Sequence, residues 1–152
     1  MADASRLYSP VITDPIYGHQ VVNVERLLQT PSSLLSWMRR IIAVRKQTRV
    51  FGRGTLRFLE PSNTRVLAYL REWEGETVLA VANLASSAEP VELDLAAYRG
   101  AALVEMFGGT AFPAVGERRY PLSLGPYGYY WFRVIRPGAS RAMPYGIETT
   151  AI

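Results

Sequence analysis

The apolar positions of this chain change period once, near residue 50. Before that point Leu34, Trp37, Met38, Ile41, Ile42 and Arg45 recur at i, i+3, i+4, i+7, i+8 and i+11. This spacing places an apolar stripe on one helical face and ends it in a charge. Thr30 suits an N-cap and Pro31 the first helical position, so the pattern predicts a helix over 31–49 with Gly52 as its stop. Ahead of it, His19–Val24 (HQVVNV) is a short apolar run that predicts one buried strand. That strand stands alone, because the next element is a helix, and residues 1–20 are otherwise irregular in pattern.

After Gly52 the period becomes two. Leu56–Leu59, Arg65–Glu72 and Thr77–Leu84 alternate as strands do, with Glu74-Gly75 as a hairpin turn. Pro90–Leu95, Ala102–Phe107, Arg118–Leu124 and Tyr129–Val134 follow, each bounded by Gly, Pro, Ser or Asn. Short strands at such spacing predict a mainly β fold, an antiparallel β-sandwich of seven to eight strands over 52–136. Residues 137–152 read as a flexible tail or linker. A strand at 19–24 and a helix at 31–49 within residues 1–51 cannot bury both of their faces.

Composition changes this picture little. Of the 152 residues, 49% are hydrophobic and 20% charged, an ordinary globular balance. With no cysteine, disulfides and thiolate metal sites are excluded. The formal charge of +4 raises nucleic acid as a partner, but five of the 17 basic residues fall between Arg39 and Arg49, on the expected helix. Cations in a last helical turn answer the helix dipole, so no nucleic-acid partner is expected. The first residues, MADASRLYSPVITDP, lack a basic stretch leading into an apolar one. No apolar run approaches the roughly 18–20 residues that span a bilayer. The expectation is a cytoplasmic protein without membrane contact.

The segment DPIYGHQVVNVERLLQTPSSLLSWMRRIIAVRKQTRVF (14–51) is followed in order by FGRGTLRFLEP, RVLAYLRE, TVLAVANLA, PVELDLAAYRG, MFGGTAFPAVGE and LGPYGYYWFRV. The ordered set resembles the C-terminal end of the trehalose synthases (maltose α-D-glucosyltransferases) of the α-amylase superfamily, over roughly residues 5–135. The resemblance implies that 19–24 and 31–49 are the last strand and helix of a (β/α)8 barrel, and 52–136 its C-terminal sandwich. His19 departs from the aromatic residue often found there, and Leu28 from a polar one.

Members of that family are isomerases that interconvert maltose and trehalose by intramolecular glucosyl transfer with retention. Retention needs two carboxylates about 5 Å apart, one held protonated beside an ionised partner. In the family these lie on earlier barrel strands, and none of the 13 carboxylates here stands in a matching motif. No catalytic residue is therefore assigned, and the chain by itself is expected to be inactive. His19 is the only histidine, and Ser123 and Ser140 lack a G-x-S-x-G context, so neither a triad nor a metal site is expected. The glycines of FGGTAF suit a turn better than a phosphate loop. No cofactor is implied.

Two sets of residues remain as candidates for sugar contact. The resemblance puts Tyr17, His19, Gln20 and Asn23 on a loop near the barrel mouth, with a structural role favoured for His19. Exposed aromatic faces can stack on pyranose rings, which singles out Trp73, Tyr129 and Trp131. Alternation puts Tyr130 and Phe132 on one face of the last strand and Tyr129, Trp131 and Arg133 on the other. One face must be core, and packing is favoured over a platform. The partners expected are the remainder of the catalytic barrel, a second copy in a homo-oligomer and a maltokinase. The functional readings are a scaffold or oligomerisation domain, a carbohydrate-binding module and a maltokinase-docking module.

Overall fold

The computed structural model describes residue 6 and residues 8–138. The tail expected over 137–152 lies outside the described residues from 139 onward. The chain forms two compact units, Met1–Thr48 and Arg49–Ile152.

The first unit is helical, and here the structure departs from the sequence pattern. His19–Val24 forms no strand: residues 15–22 are turns and bends, and helix α1 (Val24–Gln29) begins directly after them. Asn23 decides this. Its side chain accepts the Arg26 N–H at 2.9 Å as the N-cap and donates to the His19 carbonyl at 3.0 Å. A run of valines has a strand's propensity, but without neighbouring strands it has no ladder, and the local cap prevails.

Helix α2 (Leu34–Lys46) starts at the first residue of the apolar series, three residues later than Thr30 and Pro31 suggest. Ser33, not Thr30, is its N-cap and accepts the Ser36 N–H at 3.2 Å. Thr30 closes α1 instead, donating its backbone N–H to the Leu27 carbonyl. The Ser33 hydroxyl also reaches the Leu27 carbonyl at 2.6 Å, which ties the end of one helix to the start of the next. Pro31 sits in this connection. Gly52 does not stop a helix; it lies within the single turn α3 (Val50–Arg53), which belongs to the second unit.

The second unit is the sandwich. Its strands are β1 (Thr55–Phe58), β2 (Val66–Trp73), β3 (Glu76–Asn83), β4 (Glu89–Leu93), β5 (Ala102–Glu105), β6 (Ala111–Phe112), β7 (Tyr120–Leu124) and β8 (Tyr129–Ile135). Six form one sheet in the order β1-β2-β3-β8-β5-β6, while β4 and β7 pair as a second sheet, all antiparallel. Glu74 and Gly75 at φ 47° and 83° join β2 to β3, and Trp73 pairs with Glu76. Two successive positive φ values give the turn whose twist suits a tight hairpin.

The core fills the space between the sheets. Phe132, Leu79, Leu103, Leu70 and Val81 from the larger sheet meet Leu93, Leu124 and Val91 from the smaller one. Every second residue of a strand faces this core, which the i, i+2 spacing anticipates. The outer face of the large sheet is also partly covered: Val50 and Phe51 of α3 pack on Val78, with Trp73, Met106 and Trp131 around them.

The two-stranded sheet carries a proline on each strand, Pro90 and Pro121. Glu92 uses both its backbone groups on Ser62, donating to the hydroxyl at 2.9 Å and accepting the N–H at 3.2 Å. Its pairing with Pro121 is therefore the wide pair that exchanges no ladder bonds, where a missing N–H costs nothing. The same prolines blunt both edges against further strand pairing.

Candidate sugar-contact residues

The loop Asp14–Asn23 is organised by local hydrogen bonds. One Asp14 carboxylate oxygen accepts the N–H groups of Ile16 at 2.7 Å and Tyr17 at 2.8 Å. These two bonds, that from Tyr17 foremost, hold the Asp14 carboxyl below the usual carboxylate range. Gly18 donates to the Asp14 carbonyl at 2.6 Å. A Cβ at position 18 would sit 2.4 Å from that oxygen, so only glycine fits. The Gly18 carbonyl then accepts from Val21 and Val22.

This folding brings Tyr17, His19, Gln20 and Asn23 into one turn. Tyr17, His19 and Gln20 are exposed, and Asn23 is half-buried. Asn23 is fully engaged: its amide nitrogen donates to the carbonyls of His19 and Gln20, and its oxygen caps α1. Its side chain builds the loop; Tyr17, His19 and Gln20 carry the groups that face outward.

The three aromatics of the sandwich lie on the outer face of the large sheet and are half-buried. Trp131 packs against Phe51 at 4.6 Å and Phe107 at 5.2 Å between ring centroids. Tyr129 meets Phe107 edge-on at 5.6 Å. Trp73 joins Trp131 around Val50, Phe51 and Val78, and its indole nitrogen is buried without a hydrogen-bond partner. Trp73 and Trp131 are thus brought together through α3, which the sequence pattern gave no reason to expect. Tyr130 and Phe132 stack on the opposite face at 5.3 Å, against the main core.

Several carboxylates of the sandwich hold its loops. Glu89 accepts from Ser87 at 2.6 Å, Asn63 at 2.8 Å and Arg65 at 3.0 Å. These hydrogen bonds, that from Ser87 largest, pull its pKa down to about 2. Glu105 receives the N–H groups of Phe107 and Gly108 and so closes the turn of FGGT. Glu72 accepts the Tyr98 hydroxyl at 2.7 Å, while Arg136 lies over the Tyr98 ring at 5.1 Å. Burial and then Glu72 push the Tyr98 hydroxyl above its ordinary pKa. Among the described residues, no three His, Asp or Glu side chains are grouped to hold a metal. No described helix is long and apolar enough to cross a membrane.

A small antiparallel sandwich with this strand order, following a helical segment, is the architecture of a C-terminal domain of α-amylase-type enzymes. The chain belongs to the family described as Maltogenic Amylase, C-terminal domain, whose pattern matches residues 56–131. It is 49% identical over 140 residues to the trehalose synthase of Pimelobacter sp., covering 90% of this chain and 24% of that protein. It is 48% identical over 127 residues to the trehalose synthase of Thermus thermophilus, covering 83% of this chain and 13% of the other. Among solved structures, the trehalulose synthase of Pseudomonas mesoacidophila superposes with a TM-score of 0.59 at 29% identity, over 76% of this chain and 20% of that one. The chain spans about a quarter or less of the length of these proteins.

Proposed function

We propose that this chain is the C-terminal module of a trehalose synthase, and that it completes and supports a catalytic barrel while carrying none of the catalytic carboxylates itself. The observation that carries this reading is the surface of the helical unit. Leu34 is 71% exposed, Val24 63%, and Leu28, Trp37, Met38 and Ile42 are exposed as well. Apolar area on this scale is ordinarily covered, at about 25 cal/mol for each Å² removed from water. The identity to trehalose synthases extends through these residues and supports the remaining three-quarters of such an enzyme as the cover. In that setting the Asp14–Asn23 loop lies near the substrate, with Tyr17, His19 and Gln20 offering groups to a glucose unit.

The reading is tested by complementation. The Pimelobacter enzyme is truncated to remove the region matched by this chain, and the pieces are co-expressed. Soluble enzyme that converts maltose to trehalose only when this chain is present is the expected result. Equal activity with and without it, or no association, would overturn the reading.

A further inference from the structure

Strand β7 pairs with β4 alone, and beside it the sandwich leaves a cavity of about 580 Å³. Its lining is largely apolar: Phe112 and Pro113 from the end of β6, and Tyr120, Pro121 and Leu122 from β7. Both walls are fixed. Val115 donates its N–H to the Ala101 carbonyl at 2.9 Å and accepts the Gly100 N–H at 2.8 Å, which anchors the segment after β6. The Tyr120 hydroxyl donates to the Pro113 carbonyl at 2.8 Å and so ties that segment to β7. The Phe112 ring is set edge-on against Phe132 at 4.9 Å and Tyr130 at 5.4 Å. A concave apolar cavity within the range of roughly 300–1,000 Å³ has the dimensions of a small-molecule site.

Three charged side chains share this lining: Glu117, Arg118 and Arg119, all exposed. Glu117 is paired with Arg99 at 3.4 Å. Neither Arg118 nor Arg119 has an ion pair or a hydrogen-bond partner among the described residues. Two successive guanidiniums therefore border the cavity with their charge unanswered. A guanidinium presents a planar fork of donors that matches a carboxylate or a phosphate. An apolar lining alone would suit any apolar molecule, and two arginines alone any anion. Their combination selects a molecule that has both an apolar body and an anionic group.

We propose that the cavity beside β7 binds a small organic anion, a carboxylate or a phosphate ester carried on an apolar body. The body lies against Phe112, Pro113 and Leu122, and Arg118 and Arg119 hold the anionic group at the rim. All of these residues belong to the sandwich unit, and none of them enters the trehalose synthase reading above. Because both guanidiniums are solvated, their joint effect on affinity is about fivefold.

The test is titration of the isotope-labelled full chain, followed by amide chemical shifts. Benzoate and phenyl phosphate serve as the organic anions and benzamide as the neutral counterpart of benzoate. Acetate and inorganic phosphate supply the charge without the apolar body. Saturable shifts over residues 112–123 are expected with benzoate or phenyl phosphate, and the tighter of the two identifies the preferred anionic group. Benzamide should bind about fivefold more weakly than benzoate, and acetate and inorganic phosphate more weakly than their aromatic counterparts. Replacing both arginines, Arg118→Gln with Arg119→Gln, should reduce benzoate to the level of benzamide. The same double variant should keep the parent's urea midpoint, since both side chains are exposed. Equal binding of benzoate and benzamide, shifts centred elsewhere, or benzoate binding unchanged in the double variant would overturn the proposal. Shifts over 112–123 that appear on raising the protein concentration alone would give the cavity to a second copy of the chain, and would overturn it equally.

Discussion

Asn83 is the polar side chain on which the end of the sandwich depends. It is 2% exposed and uses both ends of its amide. The nitrogen donates to the carbonyls of Ser87 at 2.7 Å, Gly125 at 2.9 Å and, at longer range, Leu124 at 3.4 Å. The oxygen accepts the Ala85 N–H at 2.9 Å. Asn83→Ala removes three short hydrogen bonds and leaves their backbone partners in a space that water enters poorly. At about 1 kcal/mol for each bond lost, and up to about 3 for a group left buried and unpaired, the expected loss is about 2–4 kcal/mol. With a urea slope near 1 kcal/mol per M for a domain of this size, the midpoint should fall by about 2–4 M. The assay is urea unfolding followed by tryptophan fluorescence in a Trp37→Phe background, which leaves Trp73 and Trp131, both within the sandwich unit. Asn83→Asp keeps the shape but turns a carboxylate toward two carbonyl oxygens, so its folded-state pKa is raised above the unfolded value. Its penalty should be fully present at pH 7 and shrink as pH falls through that pKa. A loss below 1 kcal/mol for Asn83→Ala, or an Asn83→Asp penalty that does not vary with pH, would refute the reasoning.

Other consequences are more local. Phe132→Ala, at a position with no exposure and contacts to Phe112 and Tyr130, should lower stability by about 3–5 kcal/mol in the same assay. Gly54→Ala should cost about 1–3 kcal/mol, because the new methyl group would meet the Val50 carbonyl at 2.5 Å and the Glu72 carbonyl at 3.0 Å. Glu89 has its folded-state pKa lowered from 4.5 to about 2, so its contribution is complete above pH 4.5 and is lost as pH falls toward 2. Unfolding midpoints measured across that window should therefore drop less steeply for Glu89→Gln than for the parent chain.

The sandwich was legible in the sequence because its signals are local and redundant. In β8 the alternation of Tyr129–Val134 separated Tyr130 and Phe132 from Tyr129 and Trp131, though only the structure makes the Phe132 face the core, and Glu74-Gly75 stood where a hairpin needs two positive φ values. What the pattern missed depends on neighbours. The valines of His19–Val24 looked like a strand, but a strand exists only with a partner, and Asn23 drew the segment into a turn and cap instead. Thr30 and Pro31 offered a valid helix start, yet Ser33 captured it because its hydroxyl could also reach the Leu27 carbonyl. Strand β6, two residues long, is too short to leave a periodic trace. The candidate residues divide in the same way. Tyr17, His19 and Gln20 are neighbours by sequence, whereas the meeting of Trp73 with Trp131 required α3.

The account rests on the helical unit being a surface that awaits the barrel, beside a sandwich that is stable by its own core. Hydrogen exchange of the full chain, alone and mixed with the truncated Pimelobacter trehalose synthase, addresses this directly. Helices of 6 and 13 residues with few buried side chains are marginal by themselves. The account predicts that amides of α1 and α2 exchange rapidly in the chain alone and slow at least tenfold in the mixture, while those of β2, β3 and β8 are protected in both. Equal protection of α1 and α2 with and without the truncated enzyme would contradict it.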